Sequence, residues 1–108
     1  MSFNVKTIPV FERQAKRLSK KYISLKSELL YLVQELKENP ETGTPLGNNC
    51  FKIRIAIASK GKGKSGGARI ITNIAISEHN VYLLSIYDKS EKENISNKEL
   101  KDLLDYLP

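Results

Sequence analysis

Residues 51–58, FKIRIAIA, alternate large apolar side chains with polar or small ones, and this pattern predicts a β-strand with one buried face. Its large apolar members are Phe51, Ile53, Ile55 and Ile57. Lys52 and Arg54 fall on the opposite face, away from the expected core. Two more β-rich runs follow at 68–76 and 81–87, with a tight turn between them. The three runs predict an antiparallel meander.

The segment before the meander predicts a short strand and two helices. Residues 2–8 alternate as a first strand, and Pro9 suits the first turn of a helix. Apolar residues then recur at helical spacing with a break near residues 23–24, which indicates a hairpin of two helices. The second helix ends at the Asn-Pro pair 39–40, because proline disfavours helical geometry in the residue before it.

The remaining segments complete an α+β domain. Residues 39–49 are rich in turn formers and predict a loop. Ser96 and Glu99 form a capping-box pattern at the start of a short C-terminal helix. The order β-α-α-β-β-β-α predicts a single domain over residues 1–108, in which helices cover one face of an antiparallel sheet.

Composition restricts the class of protein. The chain has 108 residues, of which 40% are hydrophobic, so one domain with a real core is expected. No apolar run approaches the roughly 18–20 residues that span a bilayer. The first nine residues lack the long apolar region of a signal peptide, and Cys50 is the only cysteine. These features predict a cytoplasmic protein.

Positive charge is concentrated in two segments of a chain with net charge +6. Residues 1–26 carry +6 and residues 27–51 carry −3. Residues 52–69 carry six cations and no acid: Lys52, Arg54, Lys60, Lys62, Lys64 and Arg69. Such a block indicates an external anion, most commonly nucleic acid, although a solvated lysine-rich loop would have the same composition.

The predicted meander gathers these cations at one end of the sheet. In antiparallel strands, the loop 59–67 and the start of the strand at Arg69 lie beside the end of the next strand at Tyr87 and Lys89. Cations around a phenol favour its ionised form, so we expect Tyr87 to move a proton or stack on a base. His79, the only histidine, lies in the turn at the far end.

Nucleotide-binding and metal sites find little support in the sequence. Residues 63–65, Gly-Lys-Ser, resemble the end of a phosphate-binding loop, but Ala58 stands where that motif needs glycine and a strand follows in place of a helix. One cysteine and one histidine do not make a zinc site. Cys50 is expected to be a buried structural residue. We therefore expect neither a metal nor a cofactor.

Three segments together resemble the RelE/HigB family of bacterial toxin–antitoxin toxins, and its HigB-like branch in particular. They are KIRIA at 52–56, KGKGKSGGAR at 60–69 and LLSIYDK at 83–89. The resemblance spans nearly the whole chain. It implies a small α+β fold of the microbial ribonuclease kind and a metal-independent endoribonuclease that cuts mRNA on the ribosome.

The resemblance also implies a mechanism and partners. The RNA 2′-hydroxyl would attack its own phosphate, leaving a 2′,3′-cyclic phosphate and a 5′-hydroxyl end. The partners would be mRNA, the ribosome with its RNA, and a cognate antitoxin. The protein would contact DNA only indirectly, through that antitoxin. We expect an acidic or amphipathic segment of the antitoxin to cover the basic end of the sheet or to displace a helix from the core.

The resemblance also implies which residues form the site, from their positions in the family's sequence pattern. The catalytic set would be Lys52, Arg54, Arg69, Tyr87 and Lys89, and the RNA-binding set Lys60, Lys62 and Lys64. We expect Arg69 to clamp the phosphate from an open cleft next to Gly67, so that replacing Arg69 would hardly change stability. Lys52 or a neighbour would be the general base and Lys89 or Arg54 the acid. Other family members use His or Glu, which this chain lacks at these positions, so the base is left open.

Two alternatives remain at this stage. A toxin of the ParE branch would inhibit DNA gyrase by binding, without RNA chemistry, and would not need converging phosphate-stabilising groups. A non-catalytic RNA-binding module would need aromatic residues interleaved on an exposed strand face, and the sequence offers no such platform. The converging cations favour the ribonuclease.

Overall fold

Five strands form one sheet in the computed structural model, which describes residues 2–61, 63 and 66–108. In chain order they are β1 (Asn4–Thr7), β2 (Thr44–Gly47), β3 (Cys50–Ile55), β4 (Ala68–Ala75) and β5 (Asn80–Asp88). Their spatial order is β1-β5-β4-β3-β2. The helices are α1 (Pro9–Lys21), α2 (Leu25–Glu38) and α3 (Asn97–Leu104). The predicted α+β class is confirmed, and no helix in the described ranges is long and apolar enough to cross a membrane.

The predicted meander is present in β3, β4 and β5. Ile53 pairs with Ile70, and Ile70 pairs with Ile86, so the three stand in one row on the same face of the sheet. All three are buried. The helical hairpin packs on this face with the buried leucines Leu18, Leu25, Leu32 and Leu36. The core therefore lies between the hairpin and one face of the sheet.

The sheet differs from the prediction at both edges. It is mixed, because β1 pairs parallel with β5, beginning at Asn4 opposite Asn80. Residues 39–49, predicted as a loop, contain the edge strand β2. Pro45 and Gly47 conceal this strand in the sequence, yet an edge position tolerates proline because no neighbouring strand needs its missing N–H.

The first predicted strand of the meander also ends early. It stops at Ile55 instead of residue 58, and Ala58–Lys60 form a short 3-10 turn. Backbone N–H groups after the end of the strand donate to side chains of the helical hairpin instead of to a neighbouring strand. The Ala58 N–H donates to Glu28 Oε2 at 2.7 Å, and the Ser59 N–H donates to Ser24 Oγ at 3.0 Å.

α3 lies on the face opposite the helical hairpin, so the expectation that all helices cover one face is wrong. Its capping box is formed as predicted, with the Ser96 side chain accepting from the Glu99 N–H at 3.1 Å. Leu100 and Leu103 are its buried residues. With Leu104 and Leu107, which pack beside them, they cover part of the sheet that the sequence predicted to be open.

A side chain of α1 closes the outer edge of β5 where β1 stops. β1 pairs with β5 only as far as Leu83. Beyond that point Gln14 Oε1 accepts hydrogen bonds from the Ile86 N–H and the Ser85 hydroxyl, both at 3.0 Å. α1 therefore replaces a neighbouring strand along the second half of this edge.

Gly67 makes possible the close approach of β3 and β4 at the site end of the sheet. A Cβ built on Gly67 would lie 2.0 Å from the Ile55 carbonyl oxygen. We predict that Gly67→Ala lowers the unfolding free energy by about 2–3 kcal/mol or more, because backbone must shift to relieve the overlap. Urea unfolding monitored by circular dichroism measures this change.

Gly47→Ala is the matched control. Gly47 has a φ of +89° and open space around its Cβ position, so alanine there meets only the left-handed backbone penalty of about 1–2 kcal/mol. Equal losses for the two variants would contradict the steric role assigned to Gly67.

Candidate active site

Arg54, Arg69 and Tyr87 stand in one row across the sheet. Arg69 of β4 pairs with Arg54 of β3 on one side and with Tyr87 of β5 on the other. Directly paired residues share a face, so all three side chains lie on the face opposite the Ile53–Ile70–Ile86 row. Two arginines and a phenol thus lie side by side on one face of the sheet.

Lys52 and Lys89 flank this row. Lys52 lies two residues from Arg54 on the same face, and its Nζ donates to Asn94 Oδ1 at 3.3 Å. Lys89 follows β5, and its backbone N–H donates to the Gly67 carbonyl at 3.0 Å. The structure thus brings the five predicted catalytic residues to one end and one face of the sheet.

Arg69 is buried, and this contradicts the expectation of an open cleft. The residue is 5% exposed, and its Nη1 donates to the Ala68 carbonyl at 3.2 Å. Gly67 beside it is also buried, so its small size serves the contact with β3 and does not open a path for phosphate. Replacing Arg69 will therefore disturb packing and stability as well as charge.

Tyr87 is also 5% exposed. Burial raises the pKa of its phenol, the nearby Arg69 opposes that rise and Glu99 adds to it. The phenol is therefore protonated at neutral pH, so the expectation that the surrounding cations favour ionisation is wrong. Its hydroxyl has no hydrogen-bond partner within the described part of the chain. A buried O–H without an acceptor is available to donate to a ligand oxygen.

The segment after β5 covers these groups. Lys92 Nζ lies 5.6 Å from the centroid of the Tyr87 ring and is paired with Glu99. Lys89 Nζ donates to the Glu93 carbonyl at 3.3 Å, and Asn94 accepts from Lys52. Lys89 and Lys52, which the sequence predicted to be open to RNA, therefore already donate hydrogen bonds to oxygens of residues 93 and 94.

Lys92 and Glu99 are the site neighbours that sequence analysis missed. They line a cavity of about 250 Å³ between α1, β5 and α3, together with Gln14, Ser85, Asp102 and Tyr106. Hydrogen bonds from Lys92 and the Ser96 N–H lower the pKa of Glu99. The capping-box pattern marked Glu99 only as a helix cap, and nothing in the sequence indicated its approach to Tyr87.

Lys60 does not face solvent as the RNA-binding prediction requires. Its side chain is 9% exposed, and Nζ lies 2.5 Å from Asp88 Oδ1. Lys62 and Lys64 lie outside the described residues, so their RNA-binding role stays a prediction. The cationic loop is thus tied at Lys60 to the end of β5.

Asp88 is the acceptor at the centre of that connection. Its carboxylate is fully buried and also accepts from the Tyr22 hydroxyl at 2.5 Å and from the Ser90 hydroxyl and N–H at 2.7 and 2.9 Å. Burial raises the pKa of this carboxyl, but the hydrogen bonds from Lys60, Tyr22 and Ser90 outweigh burial and hold it well below its usual range. One carboxylate therefore joins α1, the loop after β3 and the end of β5.

The other sequence predictions concern residues away from the site. His79 lies in the turn between β4 and β5, at the far end of the sheet as predicted. Cys50 is buried as predicted, and burial raises the pKa of its thiol. Within residues 2–61, 63 and 66–108, no group of three or more His, Cys, Asp or Glu side chains is placed to hold a metal ion.

Comparison with known proteins identifies the family. The family model described as the RelE toxin of the RelE/RelB toxin–antitoxin system matches residues 8–106. The chain belongs to the RelE toxin family. The family prediction is thereby confirmed, while the assignment to the HigB-like branch stays a prediction.

Two solved structures share the RelE fold with this chain. One is a double arginine-to-alanine mutant of the E. coli toxin RelE in the free state, with a TM-score of 0.66, 13% identity and full coverage of both chains. The other is the toxin–antitoxin complex RelBE2 from Mycobacterium tuberculosis, with a TM-score of 0.61 and 17% identity. That match covers 82% of this chain and 99% of the other. At these identities the likeness establishes the fold.

Asp88→Asn tests the buried carboxylate of this RelE-family chain. We predict a loss of about 3–5 kcal/mol of unfolding free energy at pH 7, because Lys60 remains buried without its counter-charge. The native pKa of Asp88 is depressed, so its stabilisation is complete above about pH 5 and is lost progressively as the pH falls from there towards the native pKa. Urea unfolding at pH 7 and pH 3 should show the gap between parent and variant shrinking at pH 3.

Asp102→Asn is the control for Asp88→Asn. Asp102 pairs with Lys98 on the surface, with side chains 61% and 86% exposed, so its loss should hardly change stability at either pH. A parent–variant gap at Asp88 that stayed constant down to pH 3 would contradict the depressed pKa.

Tyr87→Phe tests the unpartnered hydroxyl. Since this O–H makes no hydrogen bond in the folded chain, we predict an unchanged or higher thermal midpoint. Tyr82→Phe is the matched control, because the Tyr82 hydroxyl accepts from Asn80 Nδ2 at 3.5 Å and its loss leaves a buried amide short of an acceptor. A lower midpoint for Tyr87→Phe than for Tyr82→Phe would contradict the assignment.

Proposed function

We propose that this RelE-family toxin is a ribosome-dependent mRNA endoribonuclease that needs no metal. The observation that carries the proposal is the row of Arg54, Arg69 and Tyr87, flanked by Lys52 and Lys89. Cleavage of a phosphodiester builds negative charge on the non-bridging oxygens, and preorganised cations and O–H donors stabilise that charge. These five side chains supply both.

The proposed reaction is an internal transesterification. The RNA 2′-oxygen forms a bond to the adjacent phosphorus as the bond to the 5′-oxygen breaks, giving a 2′,3′-cyclic phosphate and a 5′-hydroxyl. The 2′-hydroxyl proton passes to a base, for which Lys52 is our candidate, and Lys89 protonates the departing 5′-oxygen.

Arg54, Arg69 and Tyr87 would act on the phosphate in this mechanism. The guanidinium of Arg69 offers a fork that matches two phosphoryl oxygens, with Arg54 beside it. Tyr87 has a raised pKa, which suits it to donate a hydrogen bond and not to accept the first proton.

Substrate can reach the buried Tyr87 only if the segment that covers it moves. Arg69 and Tyr87 are both 5% exposed, and Lys92 of the segment after β5 lies over the Tyr87 ring. α3 is anchored by apolar contacts of Leu100, Leu103, Leu104 and Leu107, whereas residues 93–94 are held by polar contacts to Lys52 and Lys89. RNA phosphates would compete directly for the same two lysines. We propose that RNA binding on the ribosome displaces residues 93–94 from the site.

A cognate antitoxin is the second proposed partner. The likeness to the toxin of the RelBE2 toxin–antitoxin complex and the RelE family match support it. An acidic or amphipathic antitoxin segment would neutralise the toxin by occupying the cations of this face or by displacing α3. The family match to RelE also disfavours the gyrase-inhibitor alternative.

Arg54→Ala is the cleanest test of the proposed site, because Arg54 is exposed whereas Arg69 is buried. We predict a loss of about a hundredfold or more in single-turnover cleavage on programmed ribosomes, the effect of removing one transition-state donor. The thermal midpoint should stay unchanged. Lys26→Ala removes an exposed cation from α2 and should leave cleavage unchanged.

Mapping of mRNA 5′ ends in induced cells decides between the proposed reaction and gyrase inhibition. New 5′ ends within translated codons are expected for the parent and should disappear for Arg54→Ala. Intact mRNA with broken DNA would establish the gyrase alternative. Full cleavage by a folded Arg54→Ala protein would place the catalytic centre elsewhere.

A further inference from the structure

The outer face of α2 exposes a group of large apolar side chains. Among the described residues, five large hydrophobic side chains are more than half exposed, and three of them lie on this face. They are Ile23, Leu30 and Tyr31, with exposures of 89%, 61% and 76%. Single exposed apolar side chains are common on proteins, whereas several on one face indicate a contact surface.

The residues that share this face are uncharged. Positions 23, 27, 30, 31 and 34 recur at the spacing of one side of a helix, and all five are exposed. We call this set the α2 stripe; it consists of Ile23, Ser27, Leu30, Tyr31 and Gln34. A helix face that stays in water is typically charged, as α1 is at Arg13 and Lys16. Depletion of charge is instead a property of the centre of a protein interface.

The two ends of the α2 stripe carry opposite charge. Residues 20–26, at its start, contain three lysines and no acid, for a charge of +3. Residues 35–41, at its end, contain three glutamates and one lysine, for a charge of −2. In the described part of the chain, Lys26, Glu35 and Glu38 have no opposite charge within 4.0 Å. The charges at both ends are therefore available to a partner.

The α2 stripe is complementary to itself. Ser27 precedes the midpoint between Leu30 and Tyr31 by as many residues as Gln34 follows it. In an antiparallel pair of helices with a two-fold axis at this midpoint, Leu30 and Tyr31 would each meet their counterparts, and Ser27 would lie beside Gln34 of the other copy. Each positive end would lie beside a negative end. This match in pattern and charge favours a second copy over an unrelated partner.

The surface beside Tyr31 has room for the side chains of a second helix. Ser27 and Tyr31 line a groove of about 390 Å³ between α2 and β3. Helices pack by placing side-chain ridges of one into grooves beside the other. Two exposed tyrosine rings next to a two-fold axis can also stack with an offset.

We propose that two copies of this chain associate through the α2 stripe as an antiparallel, two-fold symmetric dimer. One helix face is small beside the roughly 1,200–2,000 Å² that stable complexes bury, so the dimer is weak and forms when free toxin is concentrated. The row of Arg54, Arg69 and Tyr87 lies on the sheet face opposite the helical hairpin. The proposal is therefore independent of the proposed RNA cleavage.

Leu30→Glu and Leu30→Lys together test the dimer. Leu30 lies next to the proposed axis, so either change places two like charges close to each other. Sedimentation velocity over a range of protein concentrations shows whether the mass rises from the monomer value of 12.2 kDa to twice that value, as we expect for the parent. Each variant should raise the dimer Kd by about tenfold or more. An equimolar mixture of the two should form the dimer again, because glutamate then faces lysine.

Ile76→Glu is the matched control. Ile76 is also 61% exposed, but it lies in the turn between β4 and β5, away from the α2 stripe. This change should leave the dimer Kd unaltered. The Leu30 variants should keep the thermal midpoint that the parent has as a monomer, since substitutions of exposed side chains change stability little.

Four results would overturn the proposal. A parent that stays monomeric at every concentration would remove the dimer, and a dimer that survives Leu30→Glu would place the contact elsewhere. Failure of the mixture to restore a dimer that both single variants lack would reject the two-fold arrangement. Loss of antitoxin binding by Leu30→Glu, with a monomeric parent, would assign the stripe to the antitoxin. A parent that dimerises as expected but never cuts mRNA would reject the proposed function and support the dimer.

Discussion

The buried carboxylate of Asp88 is the constraint on which the site end of the molecule depends. It accepts from Lys60, Tyr22 and Ser90 at once, so the loop after β3, the end of α1 and the end of β5 all meet at one charge. An ionised group in this position is stable only while its partners stay in place. The strand ends that carry Arg69 and Tyr87 are therefore fixed relative to one another before any ligand arrives.

Lysines in the basic segments of this sequence differ in whether their charge is exposed to solvent or paired inside the protein. Lys60 belongs to the densest run of positive charge, yet it is the counter-ion of Asp88 and is withdrawn from solvent. Lys16 and Lys20 of α1, in contrast, are exposed. Charge density along the sequence is thus a poor guide to which cations are available, because availability is decided by the acids that folding brings near.

The sequence was sufficient for the features that depend on local pattern. Alternation located β3, and the helix stop at residues 39–40 and the capping box at Ser96 were predicted correctly. The antiparallel register placed Arg54 beside Arg69. The features it missed depend on contacts distant in sequence. The parallel β1, the edge strand β2, the burial of Arg69 and the position of α3 over Tyr87 all require knowing which face a later segment covers.

The amide of Gln14 has a consequence for how the molecule meets other chains. An open strand edge is a template on which another strand can add, and folded proteins block such edges to avoid association. By accepting from the Ile86 N–H, Gln14 closes β5 to strand addition beyond Leu83. On the other side, β2 pairs with β3 only as far as Lys52, so the backbone beyond it, next to α2, lacks a strand neighbour in the described part of the chain. Gln14 thus removes the second half of β5 from the places where a partner strand could add, and leaves the outer edges of β1 and β2 and the end of β3.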